Sequence, residues 1–571
     1  MSKESYYVGI DVGTGSARAG VIDSQGTLVS ISVEPITTWN PKHDIYEQST
    51  ANIWANIAKT VREAVRSANL TSDDIKGVGF DATCSLVALD NKGQPRSVDI
   101  QSGFQDDSLN VILWADHRAI DQARRINATK HNVLRYVGNT ISPEMEIPKT
   151  LWLKENMPPA KWDSLAYIMD LPDFLTFKAT GHTARSTCSL TCKCSYLPPK
   201  VGQGWDASYF EAIGLGCLVK EDWKRLGGET NGGVLHAGDK VGKGLTAQAA
   251  AELGLKEGTP VGSAVIDAYA GAIATLGATA SKTERDSMLH ESTSLVSQGS
   301  HRLAIICGTS SCHIAMSPDP IFVPGVWGPY RSVLVPDMWC AEGGQSSTGQ
   351  LIDHTLSTHP AIKEARDLAA KEDLSIYAFL NRHLEKLQSE RQLSRVEDLT
   401  RHLHIYPDYH GNRSPLADPT LRGTIVGVSL DKSIDDLASR YLATLQAIAC
   451  QTRHIIESMN QKGYTIDTLC LSGGLCKNPL FVQTHSNITQ CRVILPESIE
   501  GAVVVGAAFL GAKAATGQDL WDVMVSLGKA GRVIEPCKNQ ESIEQDNRRY
   551  KVFLAMLEDQ KKYRQIMDGL V

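Results

Sequence analysis

The sequence predicts an α/β protein made of two halves that repeat one another, with a cleft between them. Three observations lead there. Tyr7-Val8-Gly9-Ile10-Asp11-Val12 is an apolar strand that carries one acid into Gly13-Thr14-Gly15-Ser16, and the apolar run Leu303 to Cys307 leads likewise into Gly308-Thr309-Ser310-Ser311. Each hairpin is followed by a stretch with helical apolar spacing, at 51–67 and at 434–459. Each half then has a short strand ending in polar or bare backbone, at Asp81-Ala82-Thr83 and at Ser472-Gly473-Gly474. The same order twice argues for an internal duplication, with ligands held between the copies.

Composition bounds the reading. At 571 residues the chain exceeds one common domain, and 42% hydrophobic residues can fill sizeable cores. A net charge of -7 without a long Lys/Arg run argues against a nucleic-acid partner. Thirteen cysteines, an odd number with Cys307 and Cys470 inside apolar strands, predict free thiols in a reducing, cytoplasmic setting. Lys3 and Glu4 precede the first strand without a signal-peptide pattern. The longest apolar stretch, Ala502 to Leu510, is too short and too rich in Gly and Ala to span a bilayer, so no membrane partner is expected.

In the first half, residues 6–35 read as strands joined by turns. Glycine at 13 and 15 is expected to permit a tight turn through positive φ. That hairpin can offer backbone N–H groups and the Thr14 and Ser16 hydroxyls to phosphate, with Asp11 facing an accompanying cation. It is neither a Walker A loop nor a dinucleotide fingerprint, because a strand follows it. Gln48-Ser49-Thr50 caps a helix whose Ile53, Ile57, Val61 and Val65 make one buried stripe. Ile75 to Phe80 is a strand ending at Asp81, either at a crevice or as a turn cap.

Trp114 offers an apolar wall and Asp116 a hydroxyl acceptor; His117 is a helix-start residue or a ligand. Glu144 precedes a helix expected to open at Pro148, and Asp173 is expected to cap another. Cys188, Cys192 and Cys194 read as small residues in a packed region; zinc, with His182 as fourth ligand, is the alternative. Asp267 ends an apolar strand next to a small-residue helix, where it is a base or an N-cap.

In the second half, Thr468 to Ser472 is a strand and Gly473-Gly474 lets backbone approach a flat ligand. Asn478 can bond a base or ribose at the start of a helix reaching Asn487. Residues 500–508 form a small-residue helix, and a tail helix docks on the body.

Taken together these segments resemble the FGGY carbohydrate kinases, most closely the ribulokinase branch. DVGTGSARAG (11–20), GFDATCSLV (79–87), LWADHRA (113–119), ISPEMEIPKTLWLKE (141–155), VIDAYAGA (265–272), CGTSSCHI (307–314), EGGQSSTG (342–349), HGNRSPLADP (410–419), LSGGLCKNPLFVQTHSN (471–487) and EGAVVVGAA (500–508) carry the resemblance. It implies two actin-like (ribonuclease H-like) ATPase domains with an interdomain cleft: a sugar-side domain at 1–272, a nucleotide-side domain at 273–540 and a tail at 541–571. It implies ATP- and Mg²⁺-dependent phosphorylation of a sugar hydroxyl, with Asp267 as catalytic base and Asp11 at the metal. Gly13, Thr14, Gly15, Ser16 and Arg18, with Gly308, Thr309 and Ser310, take the phosphate positions. Gly473, Gly474 and Asn478 take the adenosine side, and Asp81, Asp116 and Glu144 the sugar side. Ser486-Asn487 departs from an Ala-Asp pair in many relatives. D-ribulose is the expected substrate, phosphorylated at O5; L-ribulose, xylulose or a polyol is the alternative, then a non-catalytic actin-like ATP-binding protein. A homodimer is admitted as the assembly.

Overall fold

The computed structural model describes residues 5–291 and 293–570. Two mixed sheets dominate it. The first is built from β1 (Tyr6–Val12), β2 (Ser16–Ile22), β3 (Leu28–Pro35), β4 (Ile75–Ala82) and β5 (Val265–Ile266), in the spatial order β3-β2-β1-β4-β5. β1, β2 and β3 form an antiparallel meander, whereas β4 and β5 run parallel to β1.

The second sheet contains β6 (Arg302–Cys307), β7 (Ser311–Ser317), β8 (Trp327–Arg331), β9 (Trp339–Gln345), β10 (Thr468–Ser472), β11 (Arg492–Pro496) and β12 (Ala530–Ile534). Its inner order, β9-β7-β6-β10-β11, reproduces the first sheet strand for strand, with the same antiparallel meander and parallel pairs. The duplication expected from the sequence is therefore present in topology.

One face of each sheet is covered by the helix expected there. α1 (Thr50–Ser67) follows the first meander; Ser49 caps it and Ile53, Ile57 and Val61 are wholly buried. The second meander's counterpart is α3 (Ile434–Asn460), in register with the expected 434–459; the helix directly after β5 is α2 (Asp267–Leu276). The strand at 468–472, the helix α4 (Pro479–Thr489) and the small-residue helix α5 (Ala502–Thr516) also fall where the spacing put them. The tail helix α6 (Gln540–Met567) buries Tyr550, Phe553, Met556 and Leu557 against Tyr406, Leu421 and Ile488.

The other faces are covered by exchange. α5 follows the last parallel strand of the second half, yet it packs on β1 and β4 of the first. α2 follows the last parallel strand of the first half and lies against β6, β10 and β11 of the second. Small residues make this fit. A Cβ at Gly9 or Gly79 would stand 1.9 Å from the carbonyl oxygen of Val504 or Ala507, and one at Gly506 would stand 1.8 Å from that of Ala270. The division expected at 272/273 thus falls inside α2.

Smaller differences have local causes. The helix expected at Pro148 begins at Glu146. Asp173 is not a cap: its helix starts at Leu171 with Asp170 as cap, and Asp173 instead accepts from the Ser186 backbone N–H at 2.7 Å. Cys188, Cys192 and Cys194 are buried, and among the described residues no three metal-binding side chains converge. A separate five-stranded sheet (39–42, 45–48, 86–89, 111–112 and 167–170) extends the first half, and its strand at 45–48 carries Tyr46, whose N–H donates to Asp116.

Candidate active site

The two hairpins face a cleft of about 400 Å³ between the halves. Gly13, Thr14, Gly15, Ser16, Arg18, Gly308, Thr309 and Ser310 all line it. The first turn closes through Gly13 N–H to Ser16 O at 3.0 Å, the second through Gly308 N–H to Ser310 O at 2.9 Å. Positive φ, expected at Gly13 and Gly15, is used at neither. Their bareness matters instead: a Cβ at Gly15 would meet nothing within 4 Å. Missing side chains leave the turn's backbone open to a ligand. The turn is held from behind by Gln48 Nε2, which donates to Thr14 O at 3.0 Å, and from the cleft wall by Trp114 Nε1, which donates to Thr14 Oγ1 at 3.0 Å.

Three carboxylates stand at the ends of three adjacent parallel strands. Asp11 on β1 pairs in register with Asp81 on β4, and Ile266, next to Asp81's neighbour Ala82, leads into Asp267. Asp11 and Asp267 line the cleft; Asp81 is fully buried behind them and does not. Burial raises the Asp11 carboxyl, against the opposing pull of Arg18, whose Nη1 donates to Oδ2 at 3.2 Å. Burial and the charges of Asp11 and Asp267 push Asp81 well above the carboxylate range. Asp267 is pushed up to about 7, by burial first and then by Asp11; the Ala268 N–H, donating to Oδ1 at 2.7 Å, pulls the other way. Asp81 is thus the proton-holding member, and Asp267 sits at a pKa suited to base chemistry near neutrality.

On the sugar side, Glu144 lines the cleft and Asp116 does not. Asp116 is fully buried and its oxygens are taken: Arg118 Nε and Nη2 donate at 2.7 to 3.0 Å, and the Tyr46 and Arg118 backbone N–H groups at 2.7 and 2.9 Å. It shapes the wall from behind. Glu144 is half-exposed, with His117 Nε2 at 4.0 Å. The buried Lys149 joins the two cleft-lining segments by donating to Leu113 O at 2.9 Å and to Glu144 O at 3.0 Å.

Sequence reading passed over Lys193, Glu342 and Arg413 as individual site residues. All three line the cleft. Glu342 Oε1 accepts from Arg413 Nη2 at 2.7 Å, and Oε2 lies 3.5 Å from Lys193 Nζ. Both cations lie over the Trp327 ring, at 4.8 Å for Lys193 and 4.5 Å for Arg413. The paired carboxylate more than offsets burial at Lys193, so its ammonium stays charged. The signal was a charged residue amid apolar or small ones: Lys193 between Cys192 and Cys194, and Glu342 in Trp339–Gln345. These two cations and Arg18 put positive charge on the cleft wall.

Gly473, Gly474 and Asn478 lie beyond this cleft, behind the second hairpin. Gly473 has φ +93°, and a Cβ there would stand 2.4 Å from Cys307 O. Gly474 has nothing within 4 Å of such an atom, so it presents open backbone. Asn478 caps α4 through Leu480 N–H and also bonds Asn381 and Tyr441. Asn487 is committed within the fold, accepting from Gln483 at 2.9 Å and from the Cys537 N–H at 3.0 Å.

Residues 6–274 match the N-terminal domain of the FGGY family of carbohydrate kinases, and residues 303–515 match its C-terminal domain. The chain is 48% identical over 567 residues to the human FGGY carbohydrate kinase domain-containing protein, covering 99% of this chain and 98% of that one. It is 42% identical over 515 residues to the D-ribulokinase of Saccharomyces cerevisiae, covering 89% and 72%. In fold it is similar to the xylulose kinase of Rhodospirillum rubrum, with a TM-score of 0.74 at 20% identity over 98% of this chain and 99% of that one. Among the described residues no helix is long and apolar enough to cross a membrane.

Proposed function

Since the chain belongs to the FGGY family of carbohydrate kinases, we propose that its cleft transfers the γ-phosphoryl group of ATP to O5 of D-ribulose, giving D-ribulose 5-phosphate and ADP. The observation that carries the reaction is Asp267, held near 7 beside two bare-backbone hairpins. Similarity to a D-ribulokinase over most of the chain supports the substrate.

Each residue has a task. Asp267 orients the sugar hydroxyl and accepts its proton as the new O5–P bond forms and the bond to ADP breaks. Backbone N–H groups at 14–16 and 309–310 receive the phosphate oxygens, and their preorganised dipoles offset charge on the transferred group. The open backbone at Gly474 and the polar cluster at Asn478 suit adenosine. Glu144 and the Lys193–Glu342–Arg413 set offer acceptors and donors of fixed position to sugar hydroxyls, with Trp114 as a wall. Such a set discriminates between pentuloses because a misplaced hydroxyl leaves a buried polar group unpaired.

Asp11, the carboxylate that reaches the cleft beside both hairpins, with Asp81 buried behind it, fits a Mg²⁺ ion. The described residues offer no all-protein cage, in keeping with a metal held by one or two carboxylates plus substrate phosphates and water. When bound, Mg²⁺ supplies positive charge to the phosphate oxygens.

The test is a kcat/KM panel over D-ribulose, L-ribulose, D-xylulose, L-xylulose, ribitol and glycerol, with the phosphorylated position read by NMR. D-ribulose is expected to lead. A lead by L-ribulose or xylulose replaces the substrate and leaves the reaction class standing.

A further inference from the structure

Away from the cleft, α6 and the segment at 401–404 enclose a second, smaller cavity of about 160 Å³. Its polar lining is Arg401, His402, His404, Gln545, Arg548 and Arg549. None of these borders the catalytic cleft. In a chain with net charge -7, three arginines and two histidines around one cavity are a local reversal of sign.

Few of these groups have an ion-pair partner, although Asp546 and Glu397 act on Arg549 through their charge. Arg549 is 6% exposed; Nη1 and Nη2 donate only to the backbone oxygens of Thr400 and Glu397, at 3.2 and 3.1 Å, and Nε has no partner. Among the described residues, the Arg401 and His402 side chains make no hydrogen bond or ion pair, and Arg548 has only Glu544 at 4.0 Å, one turn away on the same helix. The neighbouring acids Asp546 and Glu397 are engaged by Arg395, at 3.4 and 3.9 Å. Burial first, then the charge of Arg549, pushes the His404 imidazole down, against a hydrogen bond with the Arg401 backbone.

We propose that this cavity is an anion site for a small phosphate-bearing metabolite. Arg549 forms its floor; Arg401, His402 and Arg548 close over the phosphate. Guanidinium groups match phosphate geometry, and an unpaired buried Nε–H gains a partner on binding. The volume lies below the roughly 300 to 1,000 Å³ of sites for larger ligands, so it suits phosphate or a short phosphate ester. A bound anion would tie α6 to the body. α6 is already linked to α4 through Arg453, whose Nη1 donates to Asn547 at 2.8 Å and to Ile488 O at 3.2 Å. α4 in turn starts at Asn478, next to the nucleotide-side loop.

The site stands whatever sugar the cleft accepts, so its test uses inorganic phosphate. Calorimetry and thermal unfolding are run on the full chain with ADP saturating the cleft, against chloride at equal ionic strength. Phosphate is expected to bind and to raise the melting temperature. Arg401→Ala/Arg548→Ala, two exposed positions, is expected to weaken that binding at least tenfold while leaving the circular dichroism spectrum and the phosphate-free kcat unchanged; Arg401→Ala alone gives a smaller loss. Ribose 5-phosphate binding more tightly than inorganic phosphate identifies a phosphate ester as the natural ligand, and equal binding identifies free phosphate. Equal phosphate affinity in wild type and double variant, or no effect beyond that of chloride, overturns the proposal.

Discussion

A carboxylic acid at the start of a helix ordinarily stays ionised, because the dipole favours its charge. Asp267 occupies that position in α2 and is nevertheless held up to about 7 by burial and by Asp11. The sign of the consequence is fixed. The proton stays on until pH approaches 7, so kcat/KM for the sugar is expected to fall as pH drops through that value, when measured from pH 5 to 9. Ionising Asp267 in the folded site is resisted, so its contribution to stability declines as pH rises from 3.8 toward 7. Asp267→Ala is expected to keep nucleotide binding, by calorimetry, and to lose roughly 10² to 10⁴ in turnover. Glu342→Gln leaves Lys193 and Arg413 facing an uncharged group beside Trp327. Disrupting such a buried set costs on the order of 3 kcal/mol, and the expected readouts are a lower urea midpoint and a raised KM for sugar. Asp11→Asn should alter the Mg²⁺ dependence of initial rates, and Glu144→Ala the sugar dependence. An unchanged sugar titration in the Glu144 variant would remove that residue from the site.

Elements were legible in the sequence where a period or a cap wrote them. α1 has its four-residue apolar stripe and its serine cap, and α3 its long buried face, so both ends fell within a residue or two. The hairpins were legible from composition, although their glycines serve by bareness and not by φ. Asp116 looked available because local spacing says nothing of Arg118 folding back on it or of Tyr46, 70 residues earlier in the chain. Lys193, Glu342 and Arg413 come from three separate elements and meet only in space, so no window of sequence contained them together. Helix exchange was equally invisible, since Gly9 and Gly79 read as ordinary strand glycines until α5 is seen against them. At this scale, Gly79→Ala places a methyl group against the Ala507 carbonyl and forces the helix off the sheet. Overpacking of this kind costs about 1 to 3 kcal/mol or more, and the expected outcome is a lower chemical-denaturation midpoint together with loss of activity, because the moved helix adjoins α2 and Asp267.

The whole molecule places one copy of a repeated topology on each side of the cleft, with each copy giving a hairpin to it. Ligands that touch both copies are expected to raise the melting temperature more together than the sum of their separate effects, by differential scanning fluorimetry with ADP, sugar, and both. The helices that change sides carry a different consequence. α2 is made by the first half's chain and α5 by the second's, and each covers the other half's sheet. Neither piece cut from the gene at the stretch between α2 and β6 would own a complete core. Each expressed alone is expected to aggregate, whereas both expressed together should find one another through the traded helices and recover kinase activity. The protein would then behave as a split enzyme, an obligate pair of fragments joined only by the accident of a continuous backbone.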